Sequence, residues 1–152
     1  MMKSKFLQGE ITRSGRKRNR TEIFTPYWLV RDMCSLLEKE NPDVDVFAPE
    51  RTFMEPSCGD GEFVLEIYRR KLERCRDRND AAVALCSLVC IEMQEDNMRV
   101  CRERVRALFE SYGYGDLDFD YVFQKNFIVG DALRLMAFVA SDAFENARPE
   151  CC

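Results

Sequence analysis

Apolar positions recur along this chain with two alternating periods, and their order lays out a fold. Leu29, Met33, Leu36 and Leu37 fall at helical spacing within residues 26–39, and Thr25-Pro26 reads as an N-cap followed by proline in the first helical position. Asn41-Pro42 ends that helix, and residues 41–51 read as a loop. Thr52-Phe53-Met54-Glu55 is a short β-type run that leads into the turn Pro56-Ser57-Cys58-Gly59-Asp60-Gly61. Phe63, Val64, Ile67, Tyr68 and Leu72 then mark one face of a helix running to about Arg76. A short helix over residues 80–85 precedes Leu88-Val89-Cys90-Ile91, a buried strand that ends in Glu92. Met98, Cys101, Val105, Leu108 and Phe109 mark a long helix stopped by Gly113 and Gly115. Phe127-Ile128-Val129 is a third strand, ending at Gly130-Asp131; residues 133–140 are apolar, and the pattern assigns them no element.

Strands alternating with helices predict an α/β domain with a parallel sheet and right-handed crossovers. At 152 residues the chain is one domain's worth, and 46% hydrophobic content supports a packed core. No apolar run reaches membrane-spanning length and no signal-peptide apolar region opens the chain, so a cytoplasmic protein without membrane contact is expected. In that compartment the eight cysteines are expected as reduced thiols packed as small apolar groups. Cys75, Cys86, Cys90 and Cys101 are spaced by eleven, four and eleven, unlike the close pairs of structural zinc sites, so no metal is expected. The chain has no histidine, which removes the commonest general acid/base and metal ligand.

Charge is unevenly placed. Residues 1–20 carry seven basic residues against Glu10, a net +6 within a chain of net −4, so the remainder carries −10. We read residues 1–20 as a basic flexible arm; it is either a solvated leader or a contact for nucleic-acid phosphates. Arg69-Arg70-Lys71, Arg74, Arg76 and Arg78 form a second basic cluster, expected as a solvated helix face. Tyr112 and Tyr114 are expected to pack in a loop.

The turn after the first strand carries the candidate chemistry. A strand that ends in a glycine turn and opens a helix aims backbone N–H groups and a helix N-terminus at one point. Glycine permits unusual φ angles and close approach of a ligand. All three predicted strands end in an acid, Glu55, Glu92 and Asp131, on the edge where such sheets bind ligands. A plainer reading stands beside this one: a tight strand–helix connection at Gly59 and Gly61, and helix-capping carboxylates at Glu92 and Asp131.

In this order and spacing, residues 21–135 resemble the S-adenosylmethionine (SAM) site of the adenine-N6 (amino-group) DNA methyltransferases of restriction–modification type. The resemblance rests on Thr25-Pro26-Tyr27-Trp28-Leu29-Val30, on Glu55-Pro56-Ser57-Cys58-Gly59-Asp60-Gly61-Glu62-Phe63, on the strand-end Glu92, and on Gly130-Asp131-Ala132-Leu133. It implies a Rossmann-like SAM-dependent methyltransferase fold, here truncated to about three parallel strands with flanking helices. Residues 21–152 would form that partial domain. Thr25 and Pro26 would cover the methionine end of the cofactor. Glu55, Pro56, Cys58, Gly59, Asp60 and Gly61 would form the turn beneath methionine and ribose, with Phe63 packed below. Glu92 would accept the ribose hydroxyls, Met93 would lie against the adenine, and Asp131 and the backbone of Ala132 would meet the adenine edge.

The family's catalytic motif is absent from this sequence. That motif, Asn or Asp followed by Pro-Pro and an aromatic, holds a flipped adenine for in-line methyl transfer. No Pro-Pro occurs here, and Asn146-Ala147-Arg148-Pro149 has the wrong spacing and no following aromatic. No catalytic residue is therefore expected, and the chain alone is expected to be inactive. Three strands would leave the edge of strand 52–55 unpaired, to be covered by the apolar segment 133–140, by a second copy, or by a catalytic partner chain. Two functions follow: the cofactor half of a DNA adenine methyltransferase, intact or split, and a non-catalytic SAM-binding or DNA-associated module.

Overall fold

The computed structural model of the protein describes residues 25–139, with side chains through residue 135. The basic arm and the segment 146–149 lie outside the described residues. The elements run α1 (Tyr27–Glu40), β1 (Phe53–Glu55), α2 (Glu62–Leu72), α3 (Arg78–Cys86), β2 (Leu88–Glu92), α4 (Glu95–Ser111), α5 (Phe119–Asn126), β3 (Phe127–Val129) and α6 (Ala132–Val139). The architecture is the expected α/β one. Three parallel strands lie in the order β1-β2-β3, with Phe53 opposite Leu88, Glu55 opposite Cys90, and Glu92 opposite Val129. Among the described residues β1 pairs with β2 alone.

The core lies between the sheet and α2, α4 and α5. Val64, Tyr68, Leu85, Leu88, Cys90, Met98, Cys101, Val105 and Phe109 are buried in it. Tyr68 meets Phe109 edge-on at 5.2 Å between ring centroids, and Phe109 meets Phe119 at 5.7 Å. The Tyr68 hydroxyl donates to the Leu85 carbonyl at 2.8 Å, so its one polar atom is satisfied inside the core.

Helix ends follow local rules with some shifts. The N-cap of α1 is Pro26, whose carbonyl accepts from the N–H groups of Leu29 and Val30; no side chain caps this end, contrary to the role expected of Thr25. Helix α2 stops at Leu72, four residues before the expected end, because Arg74 and Cys75 turn back onto the carbonyls of Lys71 and Leu72. Asp77 caps α3 through the Asp80 N–H. Gly113, at φ 85°, ends α4: its N–H reaches the Glu110 carbonyl and the Tyr114 N–H reaches Phe109. Helix α5 was not expected. Its signals are Asp118, which accepts from the Tyr121 N–H at 3.1 Å, and the buried positions Phe119, Val122, Phe123 and Asn126. The unassigned apolar segment forms α6, which starts from β3, at the opposite edge of the sheet from β1.

Two expectations about burial are corrected. On α1 the buried residues are Val30 and Cys34, whereas Trp28, Met33, Leu36 and Leu37, which belong to the apolar pattern, are exposed. On α2 the basic cluster is not a solvated face. Arg70 and Lys71 are buried, together with Glu66. Glu66 accepts from Arg69 Nη2 at 2.7 Å and Arg70 Nε at 2.8 Å, while Arg70 also reaches Glu38, the Ser35 hydroxyl and the Arg31 carbonyl on α1. Lys71 Nζ donates to the carbonyls of Ala48, Pro49 and Arg51 at 2.8, 3.2 and 2.5 Å, closing the loop before β1. Partners contributed by α1 and by the loop repay the desolvation of these charges.

Candidate functional site

Parallel pairing brings the ends of all three strands to one edge of the sheet. There Glu92 holds the arrangement together. Its Oε2 accepts from the Gly59 N–H at 2.9 Å, its Oε1 accepts from the Gln94 N–H at 3.0 Å, and its carbonyl accepts from the Gly130 N–H at 2.9 Å. One residue thus joins the turn after β1, the entry to α4 and the exit from β3. The turn is tied down again where the Cys58 N–H donates to the Ile91 carbonyl at 3.0 Å.

The glycines have separable reasons. Gly59 and Gly61 adopt φ of 55° and 98°, in the left-handed region that other residues disfavour. A Cβ on Gly61 would stand 2.7 Å from Cys101 Sγ, so this glycine lets the start of α2 pack onto α4. That is the plainer of the two readings offered for it. Gly61 is also the N-cap of α2, and no side chain caps this helix start.

The acids divide by surroundings. Glu55 is half-buried; burial pushes its carboxyl up, and the hydrogen bond from the Ser57 N–H at 3.2 Å pulls the other way. Asp60 is buried and lies toward α4, where Arg104 stands 3.4 Å from its carboxylate, donates to its carbonyl at 2.8 Å and pairs with Glu62 at 2.9 Å. Asp131 accepts from the Leu133 N–H at 2.9 Å and so caps α6. Its carboxylate stands 3.7 Å from Arg134. Met93, at 69% exposure, is open to solvent beside Glu92. Pro56 is exposed, and Thr25, Pro26 and Ala132 are half-buried. Phe63 packs against the core, as expected.

The structure therefore gathers Glu55, the 56–61 turn, Glu92, Met93, Asp131 and Ala132 along one edge. The start of α1 lies elsewhere. Tyr27 lines a groove of about 540 Å³ with Glu62, Leu65, Arg69, Arg104 and Leu108, beside the first turns of α2. Arg104 and Cys101, both on α4, escaped sequence reasoning as parts of the turn's support. Their contacts cross 40 or more positions, and no local pattern signals them.

The donor set suits a ligand with vicinal hydroxyls and an amino group. A carboxylate has about four lone-pair directions. Two N–H groups occupy one on each oxygen of Glu92, which leaves acceptor capacity for a diol. Cys58, Cys90 and Cys101 meet beneath the same turn. Among the described residues no group of three or more such side chains is arranged to hold a metal ion. Nor is any helix among them long and apolar enough to cross a membrane. Comparison of the chain with protein-family models, with curated proteins and with solved structures finds no match in any of the three.

Proposed function

We propose that this chain is the SAM-binding portion of a DNA adenine-N6 methyltransferase-type protein and does not transfer a methyl group by itself. The observation that carries the reading is the convergence of the left-handed glycine turn, Glu92 and Asp131 on one sheet edge, in the order of the motifs that suggested it. Glu92 would take the ribose hydroxyls with the lone pairs its two N–H partners leave free. Asp131 would accept from the adenine amino group with the oxygen that does not cap α6, and Met93 would give the ring an apolar contact. Bound SAM would supply an electrophilic sulfonium methyl. The residues of this chain would bind and orient it, and no Asn/Asp-Pro-Pro-aromatic motif is present to position a target adenine. The basic arm, residues 1–20, would contact DNA phosphates.

Titration calorimetry with SAM and S-adenosylhomocysteine tests this. Micromolar binding is expected, weakened at least tenfold in Asp131→Ala and in Glu92→Gln. A folded protein that binds neither compound would sink the proposal. Deleting residues 1–20 is expected to weaken DNA binding and flatten its salt dependence.

A second reading, a module that completes itself on a partner chain or a second copy, is supported by two features. Strand β1 has a free edge among the described residues, and α1 exposes Trp28, Met33, Leu36 and Leu37. Light scattering of wild type and of a Trp28→Ser/Leu36→Ser double variant tests it. Concentration-dependent association lost in the variant is the expected result, and a monomer at all concentrations counts against a homodimer.

A further inference from the structure

Three thiols converge beneath the glycine turn from three different elements. Cys58 belongs to the turn itself, Cys90 to β2 and Cys101 to α4. Cys90 and Cys101 are fully buried, whereas Cys58 keeps 7% exposure at the strand-end surface. The Cys58 sulfur takes side-chain hydrogen bonds from Cys101 and Cys90. The backbone confirms how close α4 comes, since a Cβ on Gly61 would touch Cys101 Sγ. Elsewhere among the described residues, Cys34, Cys75 and Cys86 sit singly on other helices.

We propose that Cys58 and Cys101 form a peroxide-responsive dithiol, with Cys58 the sulfur attacked first and Cys101 the resolving partner. The surroundings favour this division of roles. Hydrogen bonds from Cys101 and Cys90 stabilise a thiolate at Cys58 and lower its pKa, against the opposing effect of burial. The donor bond to Cys58 and burial push the other two thiols up, so they remain protonated. In the first step the Cys58 thiolate attacks one oxygen of hydrogen peroxide; an S–O bond forms, the O–O bond breaks, and hydroxide leaves, taking up a proton to become water. In the second step the Cys101 sulfur attacks the sulfenic sulfur; an S–S bond forms, the S–O bond breaks, and the oxygen leaves as water with the thiol proton. Two thiols lose two electrons, and one peroxide is reduced to two waters.

The disulfide would fasten the turn to α4. It would also remove the acceptor that the Cys90 thiol now faces. The turn's other ties, Cys58 N–H to the Ile91 carbonyl and Gly59 N–H to Glu92, lie on the β2 side. The crosslink would add a covalent tie on the α4 side, so oxidation sets the stiffness of the strand-end edge. None of this depends on which ligand that edge takes.

The test is peroxide treatment of the native full-length chain, alkylation of the remaining thiols, and non-reducing peptide mass spectrometry. The expected product joins the peptide of Cys58 to that of Cys101, is about 2 Da lighter than the reduced pair, and is reversed by a dithiol reductant. In Cys101→Ala, Cys58 is expected to stop at the sulfenic acid and be trapped by a cyclic diketone reagent. Cys90→Ala is expected to keep the crosslink. Wild type oxidised in urea should scramble its pairings, which ties the specificity to the fold and guards against a variant that fails to fold. A native Cys58–Cys90 pair, or a Cys58 that stays reduced while other cysteines oxidise, would overturn the proposal.

Discussion

The Gly59 N–H donates to Glu92 Oε2 at 2.9 Å across 33 positions of sequence, and this single bond ties the turn after the first strand to the end of the second. Its acceptor is a charged, buried carboxylate that also holds the Gln94 N–H, so both bonds are of the stronger, charge-assisted kind. Glu92 therefore has a structural task in the free protein, whatever ligand it meets.

Glu92→Gln is expected to lower stability by about 1–3 kcal/mol, because one amide oxygen cannot satisfy two N–H groups and the amide nitrogen faces a donor. Urea denaturation measures the change. A loss below experimental error would mean that the turn does not lean on this carboxylate. Any ligand-binding defect of this variant should be judged against Asp131→Ala, which leaves the Gly59 bond intact.

Gly61→Ala combines a φ of 98° with a Cβ placed 2.7 Å from Cys101 Sγ. A loss of about 2–4 kcal/mol is expected from backbone strain and overpacking together. Cys101→Ala removes the atom in the way. In a double-mutant cycle the pair should recover the steric share and leave the strain. Strict additivity would show that Cys101 is not the obstacle.

Lys71→Met keeps most of the buried chain's volume but leaves the carbonyls of Ala48, Pro49 and Arg51 without their ammonium. About 2–4 kcal/mol should be lost. Hydrogen exchange should show the loop 41–51 opening before the sheet does. Uniform loss of protection would instead indicate that Lys71 supports the whole core.

Glu66 supplies a pH signature. Burial raises its pKa, but the hydrogen bonds from Arg69 and Arg70 outweigh burial, and the net shift is downward from 4.5. A carboxyl with a depressed folded pKa contributes stability above its unfolded value, and that share is lost as pH falls through the folded one. Wild type should thus be more stable than Glu66→Gln at pH 7, and the gap should narrow below about pH 4.5. A gap that is constant from pH 7 to pH 3 would show that Glu66 is not ionised in the folded chain.

The element order was legible because it rests on local signals. Strand ends at Glu55, Glu92 and Gly130-Asp131 could be read from short apolar runs closed by acids and glycines, and the parallel sheet follows from strands alternating with helices. Helix α5 was missed although Asp118 and the spacing of Phe119, Val122, Phe123 and Asn126 announce it; eight residues beside a strand starting at Phe127 read as one apolar stretch. The basic run on α2 was misjudged for a different reason. Whether Arg70 and Lys71 are solvated depends on acceptors at Glu38, Ser35 and residues 48–51, which a helical wheel of α2 does not contain.

By itself, then, the sequence determined the α/β class, the order of the strands' ends, and the chemical identity of the groups placed there, since periodicity and turn chemistry act over a few residues. Only the tertiary structure decided that α1 turns Trp28, Met33, Leu36 and Leu37 outward, that Glu92 clamps Gly59, and that Cys58, Cys90 and Cys101 share one pocket. Those contacts join positions from about ten to more than forty apart. They exist because burying the sheet and α4 against one another leaves a single place for each side chain, and packing of that kind has no signature in a local window.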